Sequence, residues 1–179
     1  MKSSLAGVLL LVLAAAVSAA PMPRQSPELT LTPPGGDTLL LSSFKGKVVV
    51  MEFLFIRSEH CLRVAQMLAR LQHELSPRGF QPVGVVFDPP NGAGDGGRGI
   101  SAMVSYFKLS YPVAYASKDS VDSYLDRAPN EILQIPQIVV IDRKGTIRAV
   151  SGGRGADARL EDEGALRTLL DGLLKESAD

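Results

Sequence analysis

This sequence is poor in the residues that disulfide, metal and nucleic-acid chemistry require. Its 179 residues include one cysteine, two histidines and no tryptophan. A single cysteine cannot close an internal disulfide, so it is buried, reactive, or paired with another molecule. One cysteine and two histidines on different faces of a helix do not make a closed metal site, and no metal or other cofactor is expected. Charge of neither sign dominates, with 19 basic residues against 19 acidic ones. That balance gives no electrostatic footprint for nucleic acid or for an anionic membrane surface. Internal repeats and low-complexity tracts are lacking as well.

One long uncharged apolar run is present, at residues 5–17, behind Lys2 and leading into Val17-Ser18-Ala19. A positive start, an apolar stretch and small residues, in that order, read as an export signal cleaved after Ala19. The run falls short of the roughly 20 residues that a membrane span needs. No cysteine follows it to carry a lipid, and an uncleaved N-terminal anchor is the alternative. The organisation is then signal 1–19, a polar, proline-bearing lead-in 20–26, and one domain 27–179. Roughly 160 residues remain after cleavage, enough for a single sizeable core. The expected location is periplasmic or extracellular, with no membrane contact once the signal is gone.

Alternation of elements sets the fold class. Leu29-Thr30-Leu31 and Leu39-Leu40-Leu41 flank Pro33-Pro34-Gly35-Gly36-Asp37, a hairpin pattern. Residues 48–55 are too continuously apolar for an edge strand and predict a central one. A helix follows, with Cys61, Val64, Leu68, Leu71 and Leu75 on one stripe and Arg63, Gln66, Arg70 and His73 on the other. Pro77-Arg78-Gly79 stops it. Further expectations are a strand at 82–87, a helix at 100–109, a strand at 111–114 and a helix at 118–125. A second hairpin is expected at 137–141 and 146–150, and a closing helix at 161–175. Strands alternating with helices, with a hairpin at either end, imply an α/β fold around a mixed central sheet.

The chemistry concentrates at Ser58-Glu59-His60-Cys61, between the central strand and the first helix. Ser58 is a good N-cap, worth about 1 kcal/mol over alanine. Cys61 lies in the first helical turn, where the macrodipole favours a thiolate, and also on the apolar stripe, where desolvation disfavours one. His60, when cationic, would stabilise a neighbouring thiolate; the plain alternative is an exposed histidine. Glu52 is an acid inside an apolar strand and is expected to be protonated or paired. Its partner is Cys61 or a buried lysine, or else it reaches solvent at the strand edge. The stretch 92–97 fits G-x-G-x-x-G by accident, because Asp88-Pro89-Pro90-Asn91 separates it from the strand it would have to follow.

Four segments in order carry a family resemblance: Phe44-Lys45-Gly46-Lys47-Val48-Val49-Val50, Ser58-Glu59-His60-Cys61, Ile135-Pro136-Gln137, and Val140-Ile141-Asp142-Arg143-Lys144-Gly145. Over residues 27–175 the chain resembles the thioredoxin-like superfamily. Within it the likeness is to exported redoxins of the TlpA type and their alkyl hydroperoxide reductase/thiol-specific antioxidant relatives. The resemblance implies a thioredoxin-like fold with an N-terminal β-hairpin. It places Ser58 where the attacking cysteine of C-x-x-C belongs and Cys61 where the resolving one belongs. It implies that Glu52 relays the proton of Cys61, and that Ile135–Pro136 is a cis bond offering backbone to an extended peptide. It further allows Ser58 to bind a thiol co-substrate, as in glutathione-using relatives. The peroxiredoxin pattern P-x-x-x-[ST]-x-x-C is missing, since Leu54 stands where its proline would be.

With one cysteine, no internal thiol can resolve a mixed disulfide. Three readings follow. The first is a redoxin working through Cys61 and an external thiol, on protein or small-molecule thiols and disulfides. The second is a non-catalytic module that binds a peptide client beside Pro136. The third is a thiol-ligand binder using Ser58.

Overall fold

An unbroken apolar run has one stable place in a domain, the middle of a sheet covered on both faces. Val48–Leu54 takes that place, and all seven residues are buried. The structure is a computed structural model that describes residues 22–87, 97–127, 131–153 and 156–177. The strands are β1 (Arg24–Gln25), β2 (Thr30–Leu31), β3 (Leu39–Leu40), β4 (Val48–Leu54), β5 (Phe80–Phe87), β6 (Val113–Ala116), β7 (Gln137–Ile141) and β8 (Thr146–Val150). The helices are α1 (Glu59–Leu75), α2 (Arg98–Phe107), α3 (Lys118–Tyr124) and α4 (Glu163–Leu173). The main sheet runs β1-β8-β7-β4-β5-β6, and β2 and β3 pair separately as the expected hairpin. Because β4 is parallel to β5 and antiparallel to β7, the sheet is mixed.

Side-chain alternation along β4 divides the core. Val48, Val50 and Leu54 join α1, α2 and α4 in one apolar cluster, through Leu68, Ile100 and Leu170. Val49, Met51 and Phe53 point the other way, into a cluster with Leu31 near the hairpin and Val121 of α3. The stripe Cys61, Val64, Leu68, Leu71 and Leu75 of α1 is buried throughout. Full burial of such a leucine contributes about 1.5–3 kcal/mol. Gly79, at φ 93°, turns the chain out of α1 in a left-handed conformation that a side chain would resist.

Several boundaries differ from the periodicity. The strand expected at 111–114 runs two residues later. Pro112 has no N–H to give a ladder, and Tyr111 instead donates its hydroxyl to the Ala65 carbonyl of α1 at 3.1 Å. The helix expected at 100–109 is displaced towards its start and ends at Lys108, which has a positive φ of 52°. The closing helix begins at Glu163, because Asp162 caps it by accepting from the Ala165 N–H at 2.9 Å, and residues Ala158–Glu161 form a separate 3-10 turn. Arg24 and Gln25 pair with Ile147 and Thr146, which extends the sheet into the stretch read as a lead-in. The export signal and most of the glycine-rich stretch 92–97 lie outside the described residues.

Candidate functional site

The site forms where β4 runs out of sheet. After Leu54 the chain passes through Phe55, which is partly exposed, and turns with the Ser58 N–H donating to the Phe55 carbonyl at 3.0 Å. Ser58 has the extended backbone of an N-cap, and its hydroxyl accepts from the Cys61 N–H at 3.4 Å. The serine thus takes up one of the unpaired donors at the helix start, as its residue type predicts.

Cys61 lies behind Ser58 with no exposed surface, within the cluster that includes Val64, Ile138 and Leu160. Burial pushes its thiol above the ordinary value, and the Glu52 charge adds to the rise, against the hydrogen bonds from Ser58 and the Phe55 backbone. Of the two opposing effects read from the sequence, desolvation wins.

Glu52 shares a side of β4 with Val50 and Leu54, the side that faces α1. It is fully buried, and among the described residues no hydrogen-bond partner reaches either carboxyl oxygen. The two mundane options for this acid, a buried lysine or an outlet to solvent, are both overturned. Burial, with the charge of Glu161 adding to it, pushes the carboxyl well above the usual range. An unpaired buried polar group costs about 1–3 kcal/mol.

His60 is exposed, and its Nε2 lies 2.8 Å from Glu161 Oε2, so the imidazole is engaged across the surface by the turn before α4. Glu161 was missed as a site residue because nothing local marks it; its role depends on a contact between distant parts of the chain. Tyr111 was missed for the same reason. It is buried, and burial followed by the Glu52 charge pushes its hydroxyl well above the usual range.

The Ile135–Pro136 bond is cis. Gln137 pairs with Phe53, so Pro136 lies one register step further, level with the end of β4 and just before the strand beside it. Pro136 is buried, while Ile135 is half-buried and packs against both clusters. The Ile138 N–H donates to Ser151 Oγ at 2.8 Å, which fixes the start of β7. Phe55 and Phe87 form a tilted ring pair, centroids 5.0 Å apart, where β4 and β5 end. The arrangement therefore gathers Ser58, Cys61, Glu52 and Pro136 at one end of the sheet and ties His60 to Glu161 beside them. Among the described residues there is no group of three or more His, Cys, Asp or Glu able to hold a metal. Nor is any described helix long and apolar enough to cross a membrane.

The AhpC/TSA family model matches residues 22–150. No curated protein matches this chain. A thiol:disulfide interchange protein of the thioredoxin family from Chlorobium tepidum superposes with a TM-score of 0.67 at 20% identity, covering 87% of this chain and 99% of that one. The thioredoxin domain of a thiol-disulfide oxidoreductase from Bacteroides vulgatus gives 0.64 at 20% identity, over 85% and 99% of the two chains. A thiol:disulfide interchange protein from a Bacteroides species gives 0.63 at 22% identity, over 84% and 90%. At these identities the likeness shows the fold, and the fold is thioredoxin-like.

Proposed function

Since this chain belongs to the AhpC/TSA family, we propose that it is an exported redoxin whose thiol-disulfide chemistry runs through Cys61 alone, slowly and with an external thiol. The observation that carries this reading is the buried, unpartnered Glu52 carboxyl on the Cys61 side of β4. A carboxyl kept at that cost beside the one thiol is suited to exchange a proton with it. In the proposed reaction the Cys61 thiolate attacks a disulfide of a protein or a small molecule. One S–S bond breaks, a mixed disulfide with Cys61 forms, and the departing thiolate takes up the proton. A second, external thiol then attacks the mixed disulfide and returns Cys61 to its reduced state. Ser58 serves as the cap and as a hydroxyl facing the incoming sulfur, and an extended peptide lies along Ile135–Pro136.

The test is incubation of the folded protein with oxidised glutathione, followed by intact mass. The expected result is slow gain of one glutathione, reversed by added thiol and abolished in Cys61→Ser. Rapid catalytic reduction of insulin disulfides by the wild type contradicts the reading.

A second reading, a binding module without turnover, is favoured by one specific observation: Cys61 has no exposed surface. If glutathione never adds while the protein stays folded, this reading replaces the first. Export belongs to the proposal too, with residues 1–19 as the signal and with the domain beginning by Arg24, whose strand joins the main sheet, rather than at 27. Mass spectrometry of protein taken from the cell envelope is expected to place the mature N-terminus at Ala20.

A further inference from the structure

At the pole of the sheet opposite Cys61 there is a cavity of about 300 Å³ between the stretch around Ser26, the segment 41–47 and the β7–β8 turn. Val49 contributes to its floor, so it stands about 16 Å from the Leu54 end of β4 at about 3.3 Å per residue. Leu41, Phe44, Val49 and Ile141 make an apolar floor. The walls are fixed by backbone bonds: the Ser26 N–H donates to the Gly145 carbonyl at 2.8 Å, and the Gly46 N–H to the Arg143 carbonyl at 3.2 Å. Arg143 Nη1 also donates to the Gly46 carbonyl at 2.9 Å. Backbone bonds thus fix the hollow on two sides.

Basic side chains outnumber acidic ones along its lining. Asp142 accepts from the Lys144 and Thr146 N–H groups and pairs at 3.0 Å with Arg148, which also pairs with Glu176 at 2.8 Å. Glu28 is partly occupied, with one oxygen accepting from the Leu29 and Ser42 N–H groups at 3.0 and 3.1 Å. Lys45, Lys47 and Lys144 all line the cavity, and among the described residues none of them is ion-paired; Lys47 reaches only the Gln81 amide, at 3.2 Å. Three lysines against two carboxylates, Glu28 and Asp142, leave the lining net positive over an apolar floor. Concave, pre-formed, largely apolar sites with a few convergent polar groups are what small-molecule binding uses.

We propose that this cavity binds a small organic acid, a carboxylate on a compact apolar body, with the carboxylate towards Lys45 and Lys144 and the body against Val49 and Ile141. This site is separate from the thiol site and stands whether or not Cys61 turns over.

The test is titration of the ¹⁵N-labelled full chain with benzoate, with benzamide as the neutral isostere, followed by amide chemical shifts. Benzoate is expected to give saturable shifts at Lys45, Val49 and Gly145, with benzamide binding at least several-fold more weakly. The double variant Lys45→Gln/Lys144→Gln, both exposed positions, is expected to weaken benzoate about tenfold. Equal binding of benzamide overturns the proposal, as does an unchanged affinity in the double variant. So do shifts gathered elsewhere on the protein, or no shift up to about 10 mM benzoate.

Discussion

His60 Nε2 and Glu161 Oε2 meet at 2.8 Å, and this contact joins the first turn of the cysteine-bearing helix to the short turn ahead of α4. The same glutamate adds its charge to the burial of Glu52. One surface carboxylate thus bears on both neighbours of the thiol chemistry, the imidazole before Cys61 and the acid on the strand beneath.

Glu161→Gln removes that charge but keeps the shape. The pair is partly exposed, so the expected loss of stability is no more than about 1 kcal/mol. The Glu52 carboxyl, freed of a like charge, is expected to titrate at lower pH than in the wild type. Carboxyl ¹³C shifts measured against pH test this, and an unmoved Glu52 midpoint contradicts it.

Glu52 also sets a pH dependence of folding. In the unfolded chain it ionises near its ordinary value of 4.5, while in the folded protein it keeps its proton to a much higher pH. The stability it contributes is whole below about pH 4.5 and is lost as pH rises towards the folded value. The slope is at most about 1.4 kcal/mol per pH unit. Glu52→Gln, which cannot ionise, is expected to flatten that fall and to be the more stable protein at pH 8. Urea unfolding of both proteins from pH 4 to pH 8 is the measurement. Parallel curves would show that another group carries the dependence.

The frame of the fold was legible because it rests on local pattern. The continuous run 48–54 could only be a central strand, and the spacing of Val64, Leu68, Leu71 and Leu75 could only be a helix with one buried side. Both hairpins were legible from their turn residues. The start of β6 was not, because Tyr111 reads as apolar strand yet spends its hydroxyl on the Ala65 carbonyl. At the site, Ser58, Cys61 and Glu52 stood out by residue type and position. What the sequence could not yield was the balance of forces on them. Whether a first-turn thiol is ionised or shielded depends on what packs over it, and here Leu160 and Ile138 belong to that packing. Glu161 was read as part of a helix, and only the tertiary fold brings it to His60.

Ser58 separates capping from chemistry. Ser58→Ala is expected to cost about 1 kcal/mol through the lost cap, with no gain of activity. Ser58→Cys is expected to create a C-x-x-C pair at the helix start and to confer the dithiol reduction of insulin that the wild type lacks. Insulin reduction with dithiothreitol as donor reads the gain, and thermal unfolding reads the cap. A folded but inert Ser58→Cys protein would mean that the site has changed in more than the one cysteine.

The alkylation rate of Cys61 against pH, in the folded protein, tests the account at its centre. A buried thiol pushed up from its ordinary 9.0 is expected to react with iodoacetamide only slowly near neutral pH. The rate is expected to climb above pH 9, and Glu52→Ala, which removes a charge that helps hold the thiol proton on, to shift that climb to lower pH. Fast alkylation near neutral pH that Glu52→Ala leaves unchanged would contradict the shielded thiol and the role given to Glu52.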